Sequence, residues 1–129
     1  MTSLPHFPGR ALIDAYGNGG FRFAGMSHRG SILCLPSGIH AWATPAIDGT
    51  GTDWLTVELL APALAKGEDI GVLLVGTGKT QVFASRALRQ AFEAAGIALE
   101  TMATGAAART YNVLLAEQRR VGAALVAVE

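Results

Sequence analysis

Cysteine occurs once in the 129 residues, at Cys34. That excludes an intramolecular disulfide and a zinc site built on several thiolates. The thiol lies in an apolar run over residues 31–36 and reads as a small buried hydrophobe rather than a reactive nucleophile. Charge is also scarce. Only 16% of residues are charged, and ten Lys plus Arg balance ten Asp plus Glu, so the formal net charge is zero. A neutral chain exerts no long-range pull on phosphate backbones, and its densest basic feature is the pair Arg119-Arg120. No nucleic acid partner is therefore expected. No run reaches the roughly 18 apolar residues that a membrane-spanning helix needs. Residues 1–8 lack the basic-then-apolar pattern of a secretory signal, which leaves the cytoplasm as the expected location.

Apolar residues are plentiful at 50% of the chain. At this length that suffices for one domain over residues 1–129, with a core needing no covalent staple. Zero net charge gives little protection against self-association, so a homo-oligomer fits the composition.

The N-terminal part reads as β-structure. Residues 11–16 form a strand candidate, and Gly17-Asn18-Gly19-Gly20 suits a turn needing positive φ. Phe21-Arg22-Phe23 alternates with the period of a half-buried strand. Residues 25–30 punctuate, and 31–35 and 39–43 are further apolar runs, so a meander of short strands is expected. Residues 43–51 read as a loop. Thr56 would cap a helix over 57–66, kinked or split by Pro62 and ended by Gly67.

In the C-terminal half, residues 70–75 are a continuous apolar run, the pattern of a strand covered on both faces. Ser85 is a good N-cap, and Leu88, Ala91, Phe92 and Ala95 share one helical face, with Gly96 as the stop. Residues 97–102 are a second strand, which makes a parallel βαβ unit with a right-handed crossover. Thr104 opens another helix whose stripe runs through Ala108, Tyr111, Leu115 and Gln118. Residues 121–128 close the chain as a strand.

Two segments could carry chemistry. Gly76-Thr77-Gly78-Lys79-Thr80 leaves a strand and ends in Gly-Lys-Thr. A phosphate-binding P-loop needs a glycine five positions before the glycine of the Gly-Lys pair, where this chain has Leu73. The segment therefore reads first as a glycine turn. Lys79 and the loop amides would still suit a small anion at the carboxyl end of the strand. The second segment, 104–112, starts a helix at the end of the next parallel strand. Together they make a ligand-binding candidate of Thr77, Gly78, Lys79, Thr104, Gly105, Arg109, Tyr111 and Asn112. The competing reading is that Thr104 caps a helix, small residues allow close packing and Arg109 is solvated. His6, His28 and His40 match no metal-ligand spacing, Asp48 and Asp53 fail the calcium-loop pattern, and no Gly-x-Ser-x-Gly elbow occurs. No catalytic set and no cofactor is expected. Trp42 and Trp54 bracket the 43–51 loop and read as core.

Residues 72–78, 87–97 and 102–114, preceded by 15–23, 31–36 and 40–42, resemble a family of small, mostly uncharacterised proteins. Its best-known relative is mitochondrial NADH dehydrogenase (ubiquinone) complex assembly factor 3. The resemblance implies an α/β fold in three layers, with a central mixed sheet, helices on one side and extra β-structure on the other. It implies no established enzymatic activity. Many relatives carry Asp where this chain has Ala103 and Cys where it has Ala108, so chemistry using that acid or thiol does not apply here. Two functions follow. One is a non-catalytic interaction or assembly-type protein, its partners being respiratory-complex subunits or assembly proteins. The other is a small-anion binder, or an enzyme of unknown substrate, using the 76–80 loop and the helix start at 104–112.

Overall fold

Turn residues interrupt the first third of the chain every few positions, and the strands there are correspondingly short. The computed structural model describes residues 7–45, 53–65 and 69–129. In chain order these form β1 (Ile13–Gly17), β2 (Gly20–Phe23), β3 (Met26–Arg29), β4 (Ile32–Leu35), β5 (Gly38–Ala41), α1 (Ala61–Leu64), β6 (Val72–Gly76), α2 (Arg86–Ala94), β7 (Ala98–Met102), α3 (Thr104–Ala116) and β8 (Val121–Leu125).

Asn18 and Gly19, at φ 53° and 78°, make the two-residue turn between β1 and β2. Both central positions at positive φ is the geometry that matches the right-handed strand twist. The next hairpin uses Ala24 and Gly25, at φ 51° and 76°, and leads into β3. Residues 25–30 were expected only to punctuate. They instead hold a strand whose Met26 and His28 are half-buried while Ser27 and Arg29 are exposed. Alanine carries no turn signal, so the second hairpin was hidden.

The expected single meander divides into two sheets. The strands β1-β2-β3 form a small antiparallel sheet, and a mixed sheet has the order β5-β4-β8-β6-β7. The break falls after Gly30, where Ser31 Oγ accepts from the Ala127 amide at 2.9 Å and brings β4 beside β8. Strand β6 runs parallel to both β7 and β8, which places the expected βαβ unit at one end of the mixed sheet.

The helix expected over 57–66 is reduced to the single turn α1. Thr56 Oγ1 accepts from the Leu59 amide at 3.2 Å and closes a preceding turn rather than capping α1. Pro62 sits in the first turn of α1, where a missing N–H removes no helix bond. Lys66, Gly67, His6 and most of the 43–51 loop lie outside the described residues. Helix α2 begins as expected, with Ser85 Oγ accepting from the Leu88 amide at 3.1 Å. It ends at Gly96 (φ 79°), where the amides of Gly96 and Ile97 bond back to Glu93 and Phe92.

Alternation along the strands sorts the core into two faces. Leu33, Leu35, Leu73 and Val75 pack with Leu88 and Phe92 of α2 and with Leu55, Leu60 and Ala63 around α1. Ile32, Cys34, Leu74 and Leu125 face the other way and pack with Ala107, Ala108 and Tyr111 of α3 and with Ile13, Phe21 and Phe23 of the small sheet. The fold thus has three layers about a central mixed sheet. The side expected to hold only extra β-structure also carries α3, because Ala107 and Ala108 let that helix lie close on Leu74 and Ala123. Trp42 is buried, with Nε1 donating to the Leu59 carbonyl at 3.0 Å, and Trp54 packs on the same core.

Candidate functional site

Parallel strands deliver the two candidate segments to the same end of the sheet. Strand β6 exits through Thr77-Gly78-Lys79-Thr80, and β7 exits through Ala103 into α3. They meet at Gly76, where an added Cβ would lie 2.9 Å from the Thr104 Cα and 3.0 Å from the Leu125 side chain. Only glycine permits this approach.

Hydrogen bonds then tie the two segments together. The Gly78 amide donates to Thr104 Oγ1 at 2.9 Å, and the Thr104 amide donates to the Gly78 carbonyl at 2.8 Å. Thr104 Oγ1 in turn donates to the Val126 carbonyl at 2.8 Å. One fully buried hydroxyl therefore joins the β6 exit loop, the start of α3 and the end of β8. Thr77, also buried, has its hydroxyl 2.8 Å from the Thr80 carbonyl and 3.2 Å from that of Met102, and it accepts from the Val82 amide at 3.0 Å. Gly78 adopts φ 105°. Lys79 is exposed at the loop tip.

The remaining candidates point elsewhere. Tyr111 is in the core beneath α3, and burial pushes its phenol above the ordinary range, helped by Cys34 and opposed by Arg10. Asn112 clamps β1: its Oδ1 accepts from the Ile13 amide and its Nδ2 donates to the Ile13 carbonyl, both at 2.8 Å. The side-chain amide acts as a short strand beside the irregularity between Ile13 and Ala15. Gly105 lies under Tyr16 of β1, with a Cβ placed there only 2.9 Å from the ring carbon Cζ. The exposed Arg109 donates from Nη1 to Tyr16 Oη at 3.4 Å. The structure thus brings Thr77, Gly78 and Thr104 into one network and Gly105 and Arg109 into another around Tyr16. Tyr111 and Asn112 are built into the fold.

Tyr16 was not among the candidates. It is 43% exposed on β1, and its only sequence signal is the gap in apolar alternation before Gly17. A second missed feature is a cleft of about 390 Å³ on the small sheet, lined by Gly17, Asn18, Arg22, Ser27 and Arg29 among others. Among the described residues no group of three or more His, Cys, Asp or Glu is placed to hold a metal ion.

A model of the family described as "Protein of unknown function (DUF498/DUF598)" matches residues 13–126. The chain belongs to this family. Among its relatives is rat NADH dehydrogenase [ubiquinone] 1 alpha subcomplex assembly factor 3, 35% identical over 121 residues. That match takes in 93% of this chain and 62% of the rat protein, so the chain spans less than two thirds of that relative. A Bartonella henselae crystal structure, described as an outer membrane protein, is 55% identical with a TM-score of 0.85, over 96% of this chain and all (100%) of the other. A Bordetella pertussis solution structure, described as a Mth938-like domain, is 29% identical with a TM-score of 0.73, over 91% and 85% of the two chains. The family fold is therefore the mixed α/β arrangement described above. No helix among the described residues is long and apolar enough to cross a membrane.

The resemblance also singled out Ala103 and Ala108. Ala103 holds the N-cap position of α3 with extended backbone and no side-chain acceptor for the first-turn amides. Ala108 is buried against the small sheet. Neither methyl group can act as an acid or a nucleophile.

Proposed function

We propose that this protein is a non-catalytic interaction protein of the assembly type, linked to respiratory complex I biogenesis. The observation that carries the reading is its 35% identity, over 93% of its length, to a complex I assembly factor. Local chemistry supports it. The polar groups at the β6 and β7 exits are engaged in holding strands and helix together, which leaves few of them for bond-breaking. Its partners would be respiratory-complex subunits or other assembly proteins, met in the cytoplasm or at the cytoplasmic face of the membrane. A mild native pull-down of the chromosomally tagged protein, read by mass spectrometry, tests this. Reproducible enrichment of those subunits is expected, and recovery of the protein alone would overturn the proposal.

The second reading is a small-anion site formed by the 76–80 loop and the α3 start. Lys79, exposed at the carboxyl end of β6, favours it. Against it, the Gly78 and Thr104 amides already have internal acceptors. Thermal-shift titration with phosphate and sulfate, with Lys79→Ala as control, decides this second reading.

A further inference from the structure

We infer that the outer edge of β7, with the flank of α2, is a two-fold interface with a second copy of this chain. The inference is independent of the assembly role. Among the described residues β7 pairs only with β6, so no strand lies along its other edge. The ladder to β6 is bracketed by Ala98, whose amide donates to the Gly71 carbonyl at 3.0 Å, and by Met102, whose carbonyl accepts from Thr77 at 2.9 Å. With a two-residue backbone period, Leu99 and Thr101 then turn their N–H and C=O groups outward.

Two of the groups along that edge are already satisfied within the chain. The Thr101 carbonyl accepts from Gln81 Nε2 at 2.7 Å, and the Ile97 amide donates to the Phe92 carbonyl at 2.9 Å. Among the described residues, the unmatched groups are the amides of Leu99 and Thr101 and the carbonyls of Leu99 and Ile97. An antiparallel pairing centred on Leu99 uses this set. Each Leu99 exchanges bonds with the second copy's Leu99, and each Thr101 amide meets the second copy's Ile97 carbonyl. The two groups that this register would also pair, the Ile97 amide and the Thr101 carbonyl, are the two already bonded.

Charge agrees with this register. A groove of about 420 Å³ beside the edge is lined by Arg89, Glu93 and residues 96–99. Arg89 and Glu93 are exposed, one turn apart on α2, and form no ion pair among the described residues. Two-fold symmetry makes the two α2 helices antiparallel, which sets Arg89 of each copy against Glu93 of the other. The other edges fit a second copy less well. Phe7 closes β5 by exchanging bonds with Ile39, and the sheet ending in β3 presents Arg22 and Arg29 in a cleft that no acid lines. Zero net charge removes any general repulsion between copies.

Light scattering coupled to size exclusion, over a concentration series into the high micromolar range, is the test. A dimer that dissociates on dilution is expected. Arg89→Glu and Glu93→Arg should each raise the dissociation constant by about tenfold or more, since each sets like charges face to face. The double variant R89E/E93R should restore it. Both residues are exposed, and thermal melts would check that the variants fold. A monomer at every concentration overturns the inference, and so does a dimer that neither single change weakens or that the double change fails to rescue.

Discussion

Thr104 shows how much of the architecture one side chain can hold. Its hydroxyl accepts from Gly78 and donates to Val126, at 0% exposure. Thr104→Val keeps the shape but leaves a part-buried amide and a buried carbonyl unmet. Urea unfolding should show a loss of about 2 kcal/mol or more. Cys34 leads to a pH prediction. Burial raises its thiol from the ordinary 9.0 to about 12. Below pH 9 folded and unfolded chains both hold the proton, and stability does not depend on this group. Above it the unfolded chain releases the proton first, so stability falls by about 1.4 kcal/mol per pH unit until about pH 12. Tyr111, also raised by burial, steepens the loss at the alkaline end. Urea midpoints between pH 8 and 11 should show this fall, with a shallower slope in Cys34→Ala. A thiol reagent at neutral pH should label the protein only after unfolding.

The termini of α3 are weak points at the scale of an element. At its start Ala103 occupies the N-cap without capping. An acid there would accept from first-turn amides and favour the helix dipole. Ala103→Asp should therefore raise the unfolding free energy by about 0.5–2 kcal/mol, read from urea midpoints. At its end, Gln118 takes φ 61° where glycine is usual, while Arg119 bonds back to Leu114 at 2.9 Å. The contact between α3 and β6 depends on Gly76. Gly76→Ala would press a methyl group onto the Thr104 backbone. A loss of about 1–3 kcal/mol is expected from this overpacking, with amide exchange accelerating first in α3. If exchange instead quickens only in α2, this account of the Gly76–α3 contact is wrong.

For the whole molecule, electrical neutrality dominates. The sequence pI is about 6.8, so solubility should be lowest near neutral pH and should rise toward pH 8.5, still below the range where Cys34 begins to titrate. Turbidity against pH at fixed concentration checks this. Neutrality is also what lets the β7 edge and α2 flank meet a copy of themselves without a general barrier. The small sheet, with Arg22 and Arg29 outward, is a separate face of opposite character.

The apolar run of β6, the cap at Ser85, the stop at Gly96 and the parallel return through β7 were legible because each depends on neighbours within a few residues. So was the buried thiol, and the family was legible through the resemblance of its segments. What stayed illegible depended on residues far apart. Ser31 bonding Ala127 divides the N-terminal strands between two sheets, and Ala24 at positive φ hides β3. The candidate site was half legible. Thr77, Gly78 and Thr104 do converge, because parallel strands end together. Asn112 reads as a polar helix residue until β1 folds back and Ile13 takes up its amide. The sequence by itself determined most of the elements, through local periodicity and spacing, and the family, through the resemblance of its segments. Only the tertiary structure decided which polar groups were already bonded, because a hydrogen bond across 20 to 99 positions leaves no local pattern to read.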